Sequence, residues 1–144
     1  MESAELYDRD FYEWTRRNAE LLRAGRAGEA DLEHIAEEIE DMGQRERREL
    51  LSRLGILIAH LLKWKVQAGR RSRSWELTIR VQRKDLARLL SRNPSLQSGL
   101  AEDLAEAYER AVVDAMTETN HPESDFPGTC PYTLDVLLDP DFLP

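Results

Sequence analysis

The chain has 144 residues, 41% of them hydrophobic, and 28 Asp or Glu against 20 Lys or Arg give it a net charge of −8. That size suits one domain around one continuous core, and Cys130, the only cysteine, excludes an intrachain disulfide and fits a reducing compartment. The longest apolar run, Leu54 to Ala59 with Leu61-Leu62 beyond His60, falls far short of the roughly twenty residues a membrane-spanning helix needs.

The opening Met1-Glu2-Ser3-Ala4-Glu5 is acidic and matches neither a secretory signal nor a basic transit peptide, so the expectation is a soluble, cytoplasmic protein with no membrane partner. The charge is unevenly spread. Between Arg45 and Arg92 stand 14 Lys or Arg and 4 Asp or Glu, a local balance of +10, which leaves −18 for the rest of the chain. The acidic total therefore does not by itself argue against a polyanion partner.

Good helix formers dominate from Asp8 to Asn120, while Gly and Pro cluster outside the periodic segments, and the expected fold is all-α. A first helix is predicted from an Asp8 cap to Ala24, with Phe11, Trp14, Leu21 and Leu22 at helical spacing and Gly25 just past its end. Asp31 caps a second, whose Leu32, Ile35, Ile39 and Met42 form one stripe expected to be buried. At Gly43 a break or kink is expected, because glycine costs about 1 kcal/mol relative to alanine inside a helix. The spacing resumes through Leu50, Leu54, Leu57 and Leu61, and from Leu54 to Leu62 apolar residues point nearly all round, the mark of a central helix.

After a polar linker, Lys65 to Arg71, either Ser72 or Ser74 can cap the next helix, which directs Trp75, Ile79, Leu86 and Leu90 inward and ends by Ser91. Asn93-Pro94 signals a restart, and Leu96, Leu100, Leu104, Tyr108, Val112 and Met116 mark one face of the helix that follows. Prolines 122, 127 and 131 then prevent regular helix until a short one over Thr133 to Leu138. The expectation is a single-domain bundle over residues 1–144, with about four to five main helices over 8–120 and an irregular extension over 121–144 that carries the short helix. Leu54, Leu57, Leu61, Trp75, Ile79, Leu104 and Tyr108 are expected in its core.

Several blocks carry a resemblance: Ala36-Glu37-Glu38-Ile39-Glu40 with Met42-Gly43, Arg47-Arg48-Glu49-Leu50, His60-Leu61-Leu62-Lys63-Trp64, Arg71-Ser72-Arg73-Ser74-Trp75, Ile79-Arg80, Cys130-Pro131-Tyr132-Thr133-Leu134 and Asp141-Phe142. In this order they resemble the bacterial family named domain of unknown function 29. The resemblance implies a compact helical bundle in a bacterial, non-secreted protein, and it supplies no reaction, ligand or catalytic residue.

Three constellations could carry chemistry. His34, Glu37, Glu38 and Asp41 share three-and-four spacing, and with His60 they are the candidates for metal binding (His34, Glu38, His60) or for catalysis (Glu37, Glu38, His60) by a small metal-dependent hydrolase or nuclease. The competing reading is a solvated acidic face, with His60 held by a structural hydrogen bond to Glu37 or Glu38. No cofactor is otherwise called for.

The second constellation, His60, Trp64, Arg71, Arg73, Trp75 and Arg80, would make a polar recognition pocket for a protein partner, the first choice of function. The third is a basic row, Arg80, Lys84, Arg88 and Arg92, which with Trp75 nearby suits nucleic acid unless Glu102, Asp103, Glu106 and Glu109 of the next helix neutralise it. Arg71 is expected to be anchored by protein groups while part of that row faces solvent. A Cys130–His121 nucleophile–base pair is a weaker alternative to simple turn geometry. Homo-oligomerisation leaves no signature in the chain.

Overall fold

In a computed structural model, residues 3–144 are described, and among them there is no strand. The helices are α1 (Ser3–Arg9), α2 (Phe11–Arg23), α3 (Leu32–Val66), α4 (Arg73–Arg92), α5 (Leu100–Thr119) and α6 (Leu134–Leu138), with short 3₁₀ turns in the connections. Contacts gather into two units that divide within α3, Met1–Arg45 and Glu46–Pro144.

In the first unit the chain enters helix earlier than predicted. Asp10, not Asp8, is the cap of α2, its carboxylate accepting from the Glu13 N–H at 3.0 Å, and α1 precedes it as a separate helix of about two turns. Gly25 closes α2 in the left-handed region at φ 73°, which an L-residue adopts only at a cost.

The expected break at Gly43 is absent, since α3 runs unbroken for 35 residues. A glycine's penalty of about 1 kcal/mol is small beside the packing of the helix on either side of it, and so it does not interrupt the hydrogen-bond ladder. The stripe ahead of Gly43 is a second correction. Leu32, Ile39 and Met42 are 53%, 62% and 58% exposed, and the face turned toward α1 and α2 instead carries His34, Ile35 and Glu38.

The second unit is built on the apolar-all-round segment of α3. Leu50, Leu54, Leu57, Ile58, Leu61 and Leu62 are fully buried against Ile79, Leu86, Leu89 and Leu90 of α4, Ala107, Tyr108, Ala111, Val112 and Ala115 of α5, and Leu137 of α6. Five of the seven expected core residues are buried, whereas Trp75 and Leu104 remain partly exposed at its edge. Ser72 caps α4, accepting from the Trp75 N–H at 3.2 Å. Pro94 opens a 3₁₀ turn, Pro94–Gly99, before α5, and the Asn93 amide bonds back to Leu89 O and to Glu46 instead of capping the next element. Thr133 caps α6, and Tyr108 Oη donates to the Pro127 carbonyl, tying the proline-rich connection to α5.

Two stability predictions follow from this packing. Leu57→Ala should cost about 2 to 5 kcal/mol, the range for truncating a fully buried leucine. Gly43→Ala should stabilise by about 1 kcal/mol, because a Cβ there meets nothing within 4 Å and the backbone is helical. Urea unfolding reads both, and a destabilising Gly43→Ala would mean that α3 bends at this point.

Candidate functional site

The first unit holds a polar cluster between aromatic rings. Asp31 is the hub: one carboxylate oxygen accepts from Trp14 Nε1–H at 2.9 Å and from His34 Nδ1 at 2.6 Å, while its backbone N–H donates to Asn18 Oδ1 at 2.8 Å. Asn18 in turn donates to the Trp14 carbonyl at 2.9 Å. Tyr7 stacks on the His34 ring with centroids 3.9 Å apart, and its hydroxyl donates to Glu38 Oε1 at 2.5 Å. Phe11 and Trp14 complete the aromatic wall.

The electrostatics follow from these bonds. The hydrogen bond to Asp31 raises the His34 pKa above its ordinary value, against partial desolvation. Burial works against an ionised Asp31, yet the bonds from Trp14 and His34 outweigh it and hold the carboxyl below the usual carboxylate range. Acceptance by Glu38, helped by burial and by the charges of Glu37, Glu38 and Asp41, pushes the Tyr7 hydroxyl up to about 12. An imidazole fixed at Nδ1 by a carboxylate is the arrangement by which an Asp sets the tautomer and orientation of a His.

The second unit places His60 otherwise than expected. Its Nδ1 donates to the Ile56 carbonyl one turn back at 2.8 Å, and Nε2 lies 3.5 Å from Lys63 Nζ. Glu37 and Glu38 are not its partners. They belong to the first unit and His60 to the second, and the bonds of His60 go to groups of its own unit. Among the described residues no group of three or more His, Cys, Asp or Glu is placed to hold a metal ion.

Lys63 is the residue the sequence reading passed over. Its side chain is 3% exposed, pairs with Glu118 of α5 and lies over the Trp75 ring of α4 at 5.1 Å. Arg71 folds back onto the C-terminal end of α3, its Nε donating to the Trp64 carbonyl at 2.8 Å and its guanidinium lying 5.0 Å from the Trp64 ring centroid. It satisfies one of the carbonyls that a helix end leaves open and places a cation at the negative end of the dipole. The recognition group is thus partly consumed by internal pairing: Arg71 pairs with Trp64, and Trp75 with Lys63 from outside the group, while Arg73 and Arg80 stand exposed on α4.

The basic row is freer than the competing reading allowed. Asp103 and Glu106 of α5 pair with Arg47 of α3, at 2.7 and 3.3 Å, and not with α4. Arg80, Lys84, Arg88 and Arg92 are exposed, and Arg88 pairs only with Asp85 of its own helix, at 3.8 Å. Cys130 and His121 are held apart in function: the thiol donates to Tyr132 O and its pKa is raised by burial, and the imidazole bonds Asp125 at 2.8 Å.

The two α3 histidines should titrate in opposite senses. Burial pushes the His60 pKa below its ordinary value against the pull of the Ile56 carbonyl, and the Lys63 charge reinforces the burial. With a raised folded pKa, His34 contributes stability that is complete below the unfolded value of 6.5 and is lost as pH rises through the folded value. His60 does the reverse: its contribution is present above 6.5 and is lost as pH falls toward its depressed folded value. An NMR titration of the imidazoles reads both. Asp31→Asn should bring His34 down toward 6.5 and leave His60 unmoved; a wild-type His34 titrating at or below 6.5 would remove Asp31 from the role assigned to it.

No curated protein and no solved structure matches the chain. No helix among the described residues is long and apolar enough to cross a membrane. The model of the family described as Domain of unknown function DUF29 matches residues 6–143, nearly the whole chain, and the protein therefore belongs to that family.

Proposed function

We propose that this protein is a non-enzymatic binding protein whose first unit docks a basic, amphipathic helix of a partner protein in the bacterial cytoplasm. One observation carries the reading. The start of α3 turns His34 and Glu38 inward and leaves Leu32, Ile39 and Met42 in solvent, although with the half-buried Ile35 they keep the three-and-four spacing of a packed face. A helix-in-groove partner uses the same spacing for its anchors.

The charge around the stripe favours a basic partner. Residues 1–45 carry 13 Asp or Glu and 6 Lys or Arg, a balance of −7, so of the net −8 only −1 falls on the rest. Glu33, Glu37, Glu40 and Asp41 are exposed beside the stripe. Cations flanking the partner's apolar anchors would gain from steering and from rim pairing, while the anchors supply most of the affinity. The cytoplasmic setting is supported by the lone, partly buried thiol of Cys130.

A designed peptide tests the reading: one with Leu at helical spacing and Lys or Arg on its flanks, beside a twin with Glu in place of the cations. The basic peptide should bind with a salt-dependent affinity that falls at least tenfold in Ile39→Asp. Equal binding of the acidic twin, or indifference to Ile39→Asp, would defeat the proposal. So would a concentration-dependent dimer in sedimentation that Ile39→Asp abolishes, since the stripe would then belong to a second copy.

A second reading, nucleic-acid binding by α4, draws on the exposure of Arg80, Lys84, Arg88 and Arg92. The overall charge of −8 opposes it, so binding of fluorescent oligonucleotides should vanish between low and physiological salt. Tight binding at physiological salt that Lys84→Glu abolishes would reverse this order of preference.

A further inference from the structure

Position 83 lies on the apolar stripe of α4, in register with Ile79, Leu86 and Leu90, yet it is an arginine. Arg83 is 6% exposed. Its Nε donates to the Leu137 carbonyl at 2.8 Å, where the chain leaves α6, whereas Nη2 is buried and has no hydrogen-bond partner among the described residues. Burial lowers its pKa from the usual guanidinium value, and the charge of Asp139, acting through space, offsets only part of that. A forked donor whose Nε is used while its buried Nη2 is idle is uncommon enough to need an account.

Arg83 lines a cavity of about 430 Å³ between α4 and the C-terminal segment. Arg80 and Lys84, three residues before it and one after, line the same cavity, and neither has an ion-pair partner among the described residues. Its opposite wall is partly apolar, with Leu138, Pro140 and Leu143, and two acids, Glu76 and Asp141, also border it. Three cations against two carboxylates leave the lining a single positive excess.

We propose that this cavity binds a small organic anion, with a carboxylate or phosphate head received by Arg83, Arg80 and Lys84 and an apolar body against Leu138 and Leu143. The forked guanidinium matches the paired oxygens of either head group, and the two neighbouring cations lie within one turn of it. Apolar wall and charged floor together select an amphiphilic anion over a bare ion. Glu76 and Asp141 disfavour highly charged ligands, so a singly or doubly charged head fits and a polyphosphate does not. This inference is independent of the docking face of the first unit, which uses other residues.

Calorimetric titration of the whole chain with phenyl phosphate, benzoate, inorganic phosphate and benzyl alcohol decides it. Phenyl phosphate, benzoate or both should bind saturably with one site per chain, and whichever is tighter identifies the head group. Inorganic phosphate should bind at least tenfold more weakly, and benzyl alcohol should give no saturable heat. Arg83→Lys, which keeps the charge and loses the fork, and Arg80→Ala, an exposed change that leaves the core intact, should each weaken binding at least tenfold. Absence of saturable binding by both aromatic anions would overturn the site, as would affinities unchanged in Arg80→Ala. Inorganic phosphate binding as tightly as phenyl phosphate would overturn the apolar half of the proposal.

Discussion

The burial of one stretch of α3, Leu50 to Leu62, is the constraint on which the second unit depends. A helix apolar on nearly every side cannot be satisfied by one neighbour, so α4, α5 and the short α6 each supply apolar side chains to it. The connections follow from that demand. The proline-rich segment after α5 must cross back over the core to deliver Phe126, Tyr132 and Leu137, and its backbone is held by bonds from Tyr108 to the Pro127 carbonyl and from Arg83 to the Leu137 carbonyl. Burial of this kind is worth about 1.5 to 3 kcal/mol for each large aliphatic side chain.

Two cations are caught in this burial, and their treatment differs. Lys63 has a carboxylate from α5, the face of Trp75 and a place in the last turn of α3, where the helix dipole favours positive charge. Its charge is answered from three directions, which marks it as structural. Arg83 has one carbonyl and a distant carboxylate. The contrast between an answered cation and a half-answered one, both in the same core, is what singles out the α4 cavity rather than the pairing of Lys63 as a place for an outside ligand.

The caps at Asp31 and at Ser72, the latter as one of two serines, were legible in the sequence because their chemistry is local, each acting on an N–H three residues away, and Gly25 answers only to its own φ; the Asp8 cap was misplaced by two residues, since Asp10 is as good a cap. The all-round apolar run of α3 likewise announced a central helix. The Leu32, Ile35, Ile39, Met42 periodicity misled for a physical reason. Spacing reports that side chains share a face, but it does not report whether the surface that covers them belongs to the same chain. The true inward face is held by Tyr7, Trp14, Asp31, His34 and Glu38; the Asp31–His34 bond is local, but those from Trp14 to Asp31 and from Tyr7 to Glu38 span 17 and 31 positions and leave no local pattern. Lys63 was obscured in the same way, since Glu118 lies 55 positions away. Arg83 was readable: a charge in the register of Ile79, Leu86 and Leu90 is an anomaly in the sequence itself.

The first unit is the one that such a stripe can serve. Of its described residues only Trp14 and Asn18 are buried, and its interior is held largely by directional bonds around Asp31 rather than by a packed apolar core. Bonds of that kind contribute about 0.5 to 1.5 kcal/mol each net, somewhat more where a charge takes part, and they do not replace the missing apolar area. A small unit with so little apolar burial is marginal by itself. Covering Leu32, Ile39 and Met42 would add the apolar contact it lacks, and a ligand that binds only the ordered form stabilises that form by mass action. A partner that bound this stripe only in the folded form would therefore stabilise the first unit.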